Sequence, residues 1–393
     1  TMLGKELERV TYKRPFDYIE IPDAHYVVLA TYVTTEDGTG LVHQAPAFGA
    51  DDLAVCRSYG LPVVNPIAPD GHFLADVPVV GGTFFKEADK PLVKELKASG
   101  ALYKHQQYEH TYPHCWRCST PLYYSALPAW FINIQKIKQS LLKANEHVEW
   151  YPEHLKRGRF QKGLEGAPDW NISRNRFWAT ALPFWKCKST DCRNVICVGS
   201  VAELVAKSTN FAEVYPAVEV GSDGHVSKET LEKLDLHRPY IDRVVLKCEK
   251  CSSDMVRVPE VVDCWVESGS MPSAELHYPF ENNGTNSTDD FKQRFPADFV
   301  VEYTPQTRAW FYVMHVLNTT IFGEAPFRNV LCHGTILAED GSKMSKSKKN
   351  YPDPWLIVDR YGADALRFYL LSSPVVSGEE LNFSEQGVKE TSQ

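Results

Sequence analysis

The sequence has no apolar run long enough to cross a membrane, and its first residues, TMLGKELERV, contain no apolar signal core. We therefore expect no membrane-spanning helix, and nothing indicates secretion. The chain also lacks an excess of positive charge, because 42 Lys and Arg stand against 50 Asp and Glu, a formal net charge of −8. This balance argues against a protein that coats nucleic acid non-specifically, so any nucleic-acid contact should be confined to local basic stretches.

Internal repeats are absent as well. The chain has 393 residues, of which 43% are hydrophobic and 12% aromatic, enough to form a large core divided among two or three domains. We expect a globular, cytoplasmic protein.

Six of the ten cysteines form close pairs in the sequence: Cys115 with Cys118, Cys187 with Cys192, and Cys248 with Cys251. In a reducing compartment such pairs indicate metal binding rather than disulfides. Cys115 and Cys118 have no second pair nearby in the sequence, so they are either half of a zinc site or ordinary core residues.

The other two pairs can present four thiolates, from Cys187, Cys192, Cys248 and Cys251, to one tetrahedral zinc ion. An all-sulfur site of this kind has no open position for water and would be structural. Four residues rather than two separate the first pair, so Cys197 is an alternative ligand. Buried cysteines of unrelated function are the other interpretation.

Two textures divide the chain. Residues 17–48 alternate β-branched and aromatic stretches with Asp-Gly and Gly-Thr-Gly turns, which predicts a β-rich domain. This domain should close with a helix in DKPLVKELKASGALY, so we expect a boundary near residue 105. Beyond it, helical stretches alternate with buried-strand runs such as FRNVLCHGTIL, which is typical of an α/β domain with a parallel sheet. The cysteine-bearing stretch, about 185–256, is inserted into that domain.

Four stretches could carry chemistry. GTGLVHQAPAFGADD joins a histidine to acidic residues, a combination that from the residues alone favours a surface or capping role. VVDCWVESGS and VEYTPQTRAWF each place Trp beside acidic and small residues after a predicted strand, where parallel sheets bind ligands, although core tryptophans explain them equally well. In GSKMSKSKKN, Gly341 and interleaved serines leave the lysines free to reach one polyanion, or to form a solvated basic loop or targeting address.

Together these stretches resemble a known family. KMSKS at 343–347 resembles the second nucleotide-binding motif of class I aminoacyl-tRNA synthetases. WNISRNRFW, DCWVESGSMP, QTRAWF, GTGLVHQAPAFGADD and YGADALRFYL follow the order found in isoleucyl-tRNA synthetases. The resemblance covers nearly the whole chain.

The resemblance implies an α/β fold that forms the second half of a Rossmann-like catalytic domain, with a β-rich editing portion and an inserted zinc-binding module. The implied domains are 1–105, the C-terminal portion of the editing domain; 106–150, the connection back to the catalytic domain; 151–184, catalytic domain; 185–256, zinc-binding module; 257–350, catalytic domain with the lysine loop; and 351–393, the start of a helical stem-contact region.

The implied reaction joins isoleucine to ATP as an adenylate, releases pyrophosphate and passes the acyl group to tRNA(Ile). Its chief requirement is positive charge on the phosphates, for which the resemblance assigns the catalytic lysines Lys343 and Lys346, with magnesium. The other implied nucleotide-binding residues are His333, Gly334, Met344, Ser345 and Ser347. The implied amino-acid and adenylate-binding residues are Trp265, Glu302, Gln306 and Trp310.

The first domain then resembles an editing domain. One methylene separates isoleucine from valine, a difference known to be worth only roughly 1 to 3 kcal/mol in this enzyme class, so a second hydrolytic site is needed for valyl-tRNA. The resemblance implies that Asp52 grips the substrate ammonium there, with His43 beside it.

The sequence departs from the family at three positions. Pro305 and Ala309 stand where the family has Asp and Gly in DQTRGWF, and Ala179 stands where Gly follows Trp. No His-x-Gly-His motif and no threonine-rich editing segment occurs. We therefore expect an internal fragment that makes no isoleucyl-adenylate alone, in which Cys115 and Cys118 lack their zinc partners; the complete enzyme should be monomeric.

Two alternatives stay open. One is a valyl or other branched-chain synthetase, which Trp265 and Trp310 disfavour because both resemble the isoleucine type. The other is a zinc-stabilised RNA-binding module without catalysis.

Overall fold

The computed structural model describes the chain in eight ranges: 2–36, 38–115, 118–175, 178–222, 224–227, 229–280, 287–346 and 348–393. The chain divides into two compact units, Thr1–Pro128 and Ala129–Gln393. The functions that the resemblance implies for successive ranges of the sequence, such as editing for residues 1–105, stay predictions.

The first unit contains a 3₁₀ turn, Gly4–Leu7, and two helices, α1 at Ala50–Ser58 and α2 at Asp89–Ala98. Helix α2 confirms the helix predicted in this stretch, and Gly100 follows it with φ of +71°, a conformation that ends helices readily because glycine has no Cβ. Leu92 of α2 packs on a small buried cluster of Val77, Val80 and Ala88.

The prediction that residues 17–48 form a β-rich structure is wrong. Within the described residues of the first unit the structure has only isolated bridges: Thr11 with Tyr26, Ile67 with Phe73, His72 with Phe84, and His114 with Pro121. A strand needs a neighbour whose N–H and C=O groups match its own, and one face of a sheet needs cover. Leu41 and Val42 are 62% and 55% exposed, so the apolar residues that suggested strands here are not packed as one face of a sheet.

The second unit contains thirteen short or medium strands among its described residues. They are β1 Phe131–Ile132, β2 Glu149–Tyr151, β3 Trp170–Asn171, β4 Ser173–Arg174, β5 Phe184–Cys187, β6 Val195–Cys197, β7 Leu246–Lys247, β8 Asp254–Arg257, β9 Val261–Val262, β10 Ala297–Tyr303, β11 Phe327–His333, β12 Ile336–Leu337 and β13 Leu381–Asn382.

Its α-helices are interspersed among these strands. They are α3 Ile134–Glu146, α4 Lys162–Glu165, α5 Val201–Lys207, α6 Phe211–Val214, α7 Cys264–Gly269, α8 Met271–Ala274, α9 Ser287–Arg294, α10 Trp310–Phe322, α11 Pro354–Tyr361, α12 Ala363–Leu371 and α13 Glu385–Thr391. A π-helical segment, Lys156–Gln161, precedes α4. No helix in the described ranges combines the length and apolar character needed to span a membrane.

A parallel sheet in the order β10-β11-β2 organises the second unit. Helix α10 connects β10 to β11, because parallel neighbours require a crossover, and it buries Phe311 and Met314 against the sheet. Trp150, Phe160 and Phe327 fill the same core. The predicted α/β domain with a parallel sheet is thereby confirmed.

A separate antiparallel sheet in the order β6-β5-β8-β7 lies between residues 184 and 257. It has its own core, in which Trp185, Leu246 and Met255 are buried, and the indole N–H of Trp185 donates to the carbonyl oxygen of Val244 at 2.9 Å. The cysteine-bearing stretch therefore forms a sheet with a core distinct from that of the parallel sheet.

Two helices, α11 and α12, follow one another near the C-terminal end of the described chain. Asp353 caps α11, with its carboxylate accepting from the N–H of Trp355 at 2.9 Å and Pro354 in the first turn. Gly362, with φ of +87°, separates α11 from α12. The chain then returns so that β13 pairs in parallel with β12, directly after the end of β11.

Candidate functional site

The carboxyl ends of β10 and β11 lie side by side. Their register pairs Glu302 with Cys332 and Tyr303 with His333, so Glu302 and His333 lie at the same edge of the parallel sheet, where such sheets bind ligands. The Nδ1–H of His333 donates to the carbonyl oxygen of Gly334 at 2.8 Å, because a carbonyl can only accept. In the neutral ring, Nε2 is then an acceptor.

The turn after β10 orients Gln306. A 3₁₀ turn, Thr304–Arg308, follows the strand, and the hydroxyl of Thr307 closes it by donating to the carbonyl oxygen of Thr304 at 2.7 Å. The side-chain oxygen of Gln306 accepts from the N–H of Trp310 at 2.9 Å. This bond satisfies a free N–H in the first turn of α10 and fixes the Gln306 side chain.

Trp265 lies in the first turn of α7, which is capped by Asp263. The buried carboxylate of Asp263 accepts from the N–H of Trp265 at 3.3 Å, from the guanidinium of Arg174 at 2.7 Å and from the indole of Trp170 at 3.3 Å. Three donors stabilise a charge that would otherwise be costly to bury. Trp265 itself is 38% exposed, so its indole is available to a ligand.

Helices α7 and α10 hold the two tryptophan stretches together. The indole N–H of Trp310 donates to the carbonyl oxygen of Ser268 at 3.2 Å, and the amide of Asn318 donates to that of Gly269 at 3.0 Å. A Cβ on Gly269 would lie 3.1 Å from the backbone carbonyl oxygen of Val313 in α10, so the absence of a side chain favours this close approach. VVDCWVESGS and QTRAWF therefore form one structural assembly.

Gly334 contacts backbone rather than open space. Its N–H donates to the carbonyl oxygen of Val375 at 2.7 Å, and a Cβ built on it would overlap the backbone carbonyl of Glu379. The segment before β13 thus passes directly over the end of β11. This crossing leaves no room for a side chain at position 334, independently of any role in nucleotide binding.

The lysine loop is held by Asn350. The Asn350 side-chain oxygen accepts from the N–H of Ser345 at 2.9 Å, and its amide donates to the hydroxyl of Ser342 at 3.0 Å and the carbonyl of Lys343 at 3.1 Å. Lys343 and Lys346 are exposed, whereas Met344 and Ser345 are partly buried. Ser347 lies outside the described residues.

An acidic residue stands at the base of this loop. Hydrogen bonds from Ser342 hold the pKa of the Asp340 carboxyl below its ordinary value, and one of them, from the Ser342 N–H, measures 2.9 Å. Gly341, with φ of +78°, makes the tight turn between them. The loop therefore presents its lysines from a fixed base.

The four predicted zinc ligands come together. The Sγ atoms of Cys187, Cys192, Cys248 and Cys251 all lie within 4.8 Å of one another, with 3.4 Å between Cys187 and Cys251 and 3.7 Å between Cys192 and Cys248. Zinc bound tetrahedrally at about 2.3 Å from each sulfur would set the sulfurs about 3.8 Å apart. The cluster therefore fits one zinc ion, and Cys197 is not part of it.

The protonation of this cluster is uneven. Burial raises the pKa of the Cys187 thiol to about 12. Burial also acts on Cys248, but hydrogen bonds from the backbone of Lys250 and Cys251 and from Asn194 outweigh it and lower that pKa to about 6. Hydrogen bonds from Ser253 also lower the pKa of the Cys251 thiol, so Cys248 and Cys251 ionise more readily than Cys187, and the thiolate is the form that binds metal.

Cys115 and Cys118 form a turn with the same hydrogen bonds as Cys248 and Cys251. In the first unit, the N–H of Cys115 donates to the carbonyl oxygen of Thr120 at 2.9 Å, and the N–H of Ser119 donates to the carbonyl oxygen of Cys115 at 2.8 Å. In the second unit, the N–H of Cys248 donates to the carbonyl oxygen of Ser253 at 2.9 Å, and the N–H of Ser252 donates to the carbonyl oxygen of Cys248 at 2.7 Å. Ser119 and Ser252 share a positive φ, 59° and 60°. Hydrogen bonds from Thr120 lower the pKa of the Cys118 thiol to about 7.

Of the two predicted editing residues, Asp52 lies in the first turn of α1 and His43 lies in the segment that precedes the helix. The carboxylate of Asp52 accepts from the N–H of Ala45 at 2.9 Å, which draws the segment carrying His43 onto the first turn of the helix. His43 is exposed and Asp52 partly buried. Gly49 precedes the helix and lies against Asp52, since a Cβ there would be 2.8 Å from its carboxylate oxygen.

Comparison with known proteins shows the family to which the chain belongs. The family described as tRNA synthetases class I (I, L, M and V) matches residues 36–383. The chain belongs to this family, which has a catalytic domain of mixed α/β content.

Within this family, the chain is similar to isoleucine–tRNA ligases. The chain is 50% identical over 370 residues to the isoleucine–tRNA ligase of Streptomyces coelicolor, covering 93% of this chain and 33% of that protein. It is 44% identical over 403 residues to the isoleucine–tRNA ligase of Treponema denticola, covering 99% and 34%. The predicted resemblance to isoleucyl-tRNA synthetases is confirmed, and the chain spans about a third of the length of these relatives.

Among solved structures, the ternary complex of the Agrobacterium radiobacter K84 agnB2 LeuRS with tRNA and LeuAMS matches with a TM-score of 0.36 and 21% identity. The match covers 57% of this chain and 27% of that one.

Sequence reasoning missed the residues that hold the site in place. Asn350 was not singled out, although an asparagine directly after a lysine run is a common turn residue. No sequence pattern marks Ser268 and Gly269, which accept hydrogen bonds from α10. The same holds for Asn194, whose amide lies 3.6 Å from the Cys248 sulfur.

Proposed function

We propose that this chain is the part of an isoleucine–tRNA ligase that carries the lysine loop and the isoleucine pocket. In this reaction the carboxylate oxygen of isoleucine attacks the α-phosphorus of ATP and pyrophosphate leaves. A ribose hydroxyl of tRNA(Ile) then attacks the acyl carbon, and AMP leaves. The observation that carries the proposal is the assembly of Glu302, Gln306, Trp310 and His333 at adjoining strand ends.

On the nucleotide side, positive charge is the requirement, because the phosphates gain charge as pyrophosphate departs. Lys343 and Lys346 lie on an exposed loop with a fixed base and would contact the departing phosphates as that loop closes. Magnesium, bound with ATP, would neutralise further phosphate charge. His333 and Gly334 would line the nucleotide from the end of β11, with Met344, Ser345 and Ser347 completing the loop.

On the amino-acid side, Trp265 and Trp310 would wall the side-chain pocket. Support comes from the hydrogen bond that ties Trp310 to α7, the helix on which Trp265 lies. Glu302 supplies a carboxylate at the sheet edge, and Gln306 an amide fixed by α10. These two would hold the amino acid and its adenylate.

At the level of domains, we propose that the parallel sheet belongs to the second half of a Rossmann-like catalytic domain, into which the sheet of residues 184–257 is inserted. We propose the editing function for the first unit. Asp52, already oriented by Ala45, would bind the ammonium group of a mischarged valyl ester, with His43 beside it.

We propose that the four-cysteine cluster holds a structural zinc ion. The sulfur separations support this, as does the lowered pKa of Cys248, since thiolates bind zinc. Cys115 and Cys118 would form half of a second zinc site, because their turn repeats the hydrogen bonds of the Cys248 turn.

We propose a cytoplasmic, monomeric complete enzyme. All ten cysteines are free thiols, which suits a reducing compartment and metal binding.

The test is amino-acid-dependent exchange of pyrophosphate into ATP by the longest natural polypeptide that contains these 393 residues. Isoleucine should support exchange with a specificity constant roughly 100-fold above that of valine, and leucine should support none. Preference for valine would identify a valyl-type enzyme. Absence of exchange with every amino acid would leave the non-catalytic RNA-binding alternative.

A further inference from the structure

A cavity of about 520 Å³ lies at the amino ends of strands β10 and β11 in the second unit. Phe327 and Arg328 line it, and the strand register places Ala297 beside Phe327 at this edge of the sheet. Glu302 and His333 of the candidate site lie near the other ends of these two seven-residue strands, about 20 Å away. The cavity is therefore separate from the candidate site.

The cavity, here called the rear cavity, lies between the C-terminal ends of two helices. Lys143 and Ala144 of α3 line one side, and Thr319 of α10 and Gly323 just after that helix line the other. Ala144 is buried in the core of the parallel sheet, so the inner wall of the cavity is a packed surface. Its volume lies within the range of small-molecule sites in proteins, roughly 300–1,000 Å³.

Thr319 is the buried polar group of the rear cavity. It is 3% exposed, and its hydroxyl has no hydrogen-bond partner among the described residues. A hydroxyl in a helix can donate to the carbonyl oxygen four residues earlier, as that of Thr320 does to Val316 at 2.6 Å. Because an unpaired buried hydroxyl is costly, a ligand that reaches Thr319 gains a hydrogen bond without displacing one.

Two unpaired cations stand at the mouth of the rear cavity. The side chains of Lys143 and Arg328 line the cavity and are exposed, and neither forms an ion pair or a side-chain hydrogen bond within the described part of the chain. Glu324, the acidic residue of the lining, is unpaired there as well. Positive charge exceeds negative charge, which favours an anion, and arginine and lysine are the usual partners of phosphate.

The end of α10 adds hydrogen-bond acceptors. The last carbonyl groups of a helix have no partner within it and carry partial negative charge, so they attract donors and repel anions. Ligand hydroxyls can donate to these carbonyls and to the carboxylate of Glu324, while Thr319 can donate or accept. The rear cavity therefore matches a ligand with a phosphate at one end and hydroxyl groups at the other.

We propose that the rear cavity binds a small sugar phosphate, with the phosphate at Lys143 and Arg328 and the hydroxyls at Thr319 and Glu324. The proposal goes beyond the proposed function and does not depend on it, because none of these four residues belongs to the candidate site.

The test is isothermal titration calorimetry of the 393-residue chain with three probes: ribose 5-phosphate, inorganic phosphate and ribose. Ribose 5-phosphate should bind about 10-fold more tightly than phosphate, because its hydroxyls add hydrogen bonds. Ribose alone should give no measurable binding. Equal affinity for ribose 5-phosphate and phosphate, or no binding of ribose 5-phosphate, would overturn the proposal.

Lys143→Ala with Arg328→Ala tests the phosphate contacts. This double variant should weaken binding of ribose 5-phosphate at least about 10-fold, because charge-assisted hydrogen bonds are lost. Lys136→Ala with Lys162→Ala removes the same charge from exposed positions outside the cavity and should leave the affinity nearly unchanged. An equal loss in this matched control would contradict the proposal. So would loss of binding in Lys343→Ala but not in the cavity variant, since that result assigns the binding to the lysine loop.

Thr319→Val separates a ligand contact from a structural role. Valine has nearly the shape of threonine but no hydroxyl, so the affinity for ribose 5-phosphate should fall about 5-fold. The free energy of unfolding in urea, measured without ligand, should not fall, because the hydroxyl has no partner to lose. Lower stability with unchanged affinity would show that Thr319 serves the fold and not a ligand, and the proposal would fail.

Discussion

The indole N–H of Trp310 donates a hydrogen bond to the carbonyl oxygen of Ser268 at 3.2 Å. This bond joins the first turn of α10, which follows the end of β10, to the helix that carries Trp265. Residues 42 positions apart in the sequence thus form one wall of the candidate pocket. The position of this wall depends on the close contact between α7 and α10 at Gly269. Small structural changes at that contact should therefore shift Trp265 and Trp310.

Lys343 and Lys346 should be needed for adenylate formation. In the complete protein, Lys343→Ala and Lys346→Ala should each lower isoleucine-dependent pyrophosphate exchange by roughly 100- to 1000-fold, the usual loss when one group that stabilises transition-state charge is removed. Lys348→Ala, in the same loop, is the matched control and should change exchange less than about 3-fold. Unchanged exchange in both lysine variants would show that the loop has another role.

Asn350 should control the order of the lysine loop. In the 393-residue chain, Asn350→Ala removes three hydrogen bonds to Ser342, Lys343 and Ser345, so trypsin should cut after Lys343 and Lys346 about 10-fold faster. Asn350→Asp keeps the acceptor for Ser345 but loses both donors, and cleavage should be intermediate. Asn329→Ala, which breaks a single bond to Asp298 in the parallel sheet, should leave the rate of loop cleavage unchanged; an equal acceleration there would indicate general destabilisation.

Gly334 should tolerate no side chain. Gly334→Ala forces either β11 or the segment at Glu379 to move, and we expect the free energy of unfolding to fall by about 2 kcal/mol or more. Gly163→Ala is the control, because a Cβ there meets nothing within 4 Å and alanine favours helix α4 by about 1 kcal/mol. Urea unfolding followed by tryptophan fluorescence measures both; equal stability of the two variants would contradict the close approach at Glu379.

His315 should make the second unit sensitive to acid. It is fully buried, its Nε2–H donates to the carbonyl oxygen of Leu141 at 2.8 Å, and burial lowers its pKa to about 4. Between about pH 4 and the ordinary value near 6.5, the unfolded chain binds more protons, so stability rises with pH across this window. The contribution, about 3 kcal/mol, is complete above pH 6.5 and is lost as the pH falls to 4.

His315→Leu should remove this slope. Above pH 6.5 the variant should be less stable than wild type because the bond to Leu141 is gone, whereas near pH 4 this difference should shrink or reverse, because the variant has no buried imidazole to protonate. The measurement is the urea midpoint at a series of pH values from 7 to 4, compared with His105→Gln at an exposed histidine. A slope that persists unchanged in His315→Leu would assign the acid sensitivity to other groups.

Cys248→Ser should abolish zinc binding by the four-cysteine cluster. Purified wild-type chain should contain about one zinc ion at this cluster, and the variant should lose it together with the thermal unfolding transition of the 184–257 sheet, because metal binding and folding are coupled. Cys197→Ser, outside the cluster, should keep both. The same zinc content in wild type and Cys248→Ser, measured by atomic absorption, would remove the site.

Much of the fold was predictable where the signal is local. Strand β11, the helix at residues 89–98 and the pairing of Cys187 and Cys192 with Cys248 and Cys251 follow from periodicity, capping residues and cysteine spacing. The strands predicted within residues 17–48 failed, because pairing depends on a partner elsewhere in the chain and β-branched residues alone do not supply one.

By itself, the sequence determined which groups this protein carries: a lysine-rich loop, two tryptophans after strands, two close pairs of thiols and a parallel sheet. The tertiary structure alone decided the neighbours. It placed Glu302 beside Cys332 by strand register, passed Glu379 over Gly334, and gave Asn350 its three loop partners. Motifs depend on residue type and spacing, which one sequence records, whereas register and close approach depend on which distant surfaces pack together.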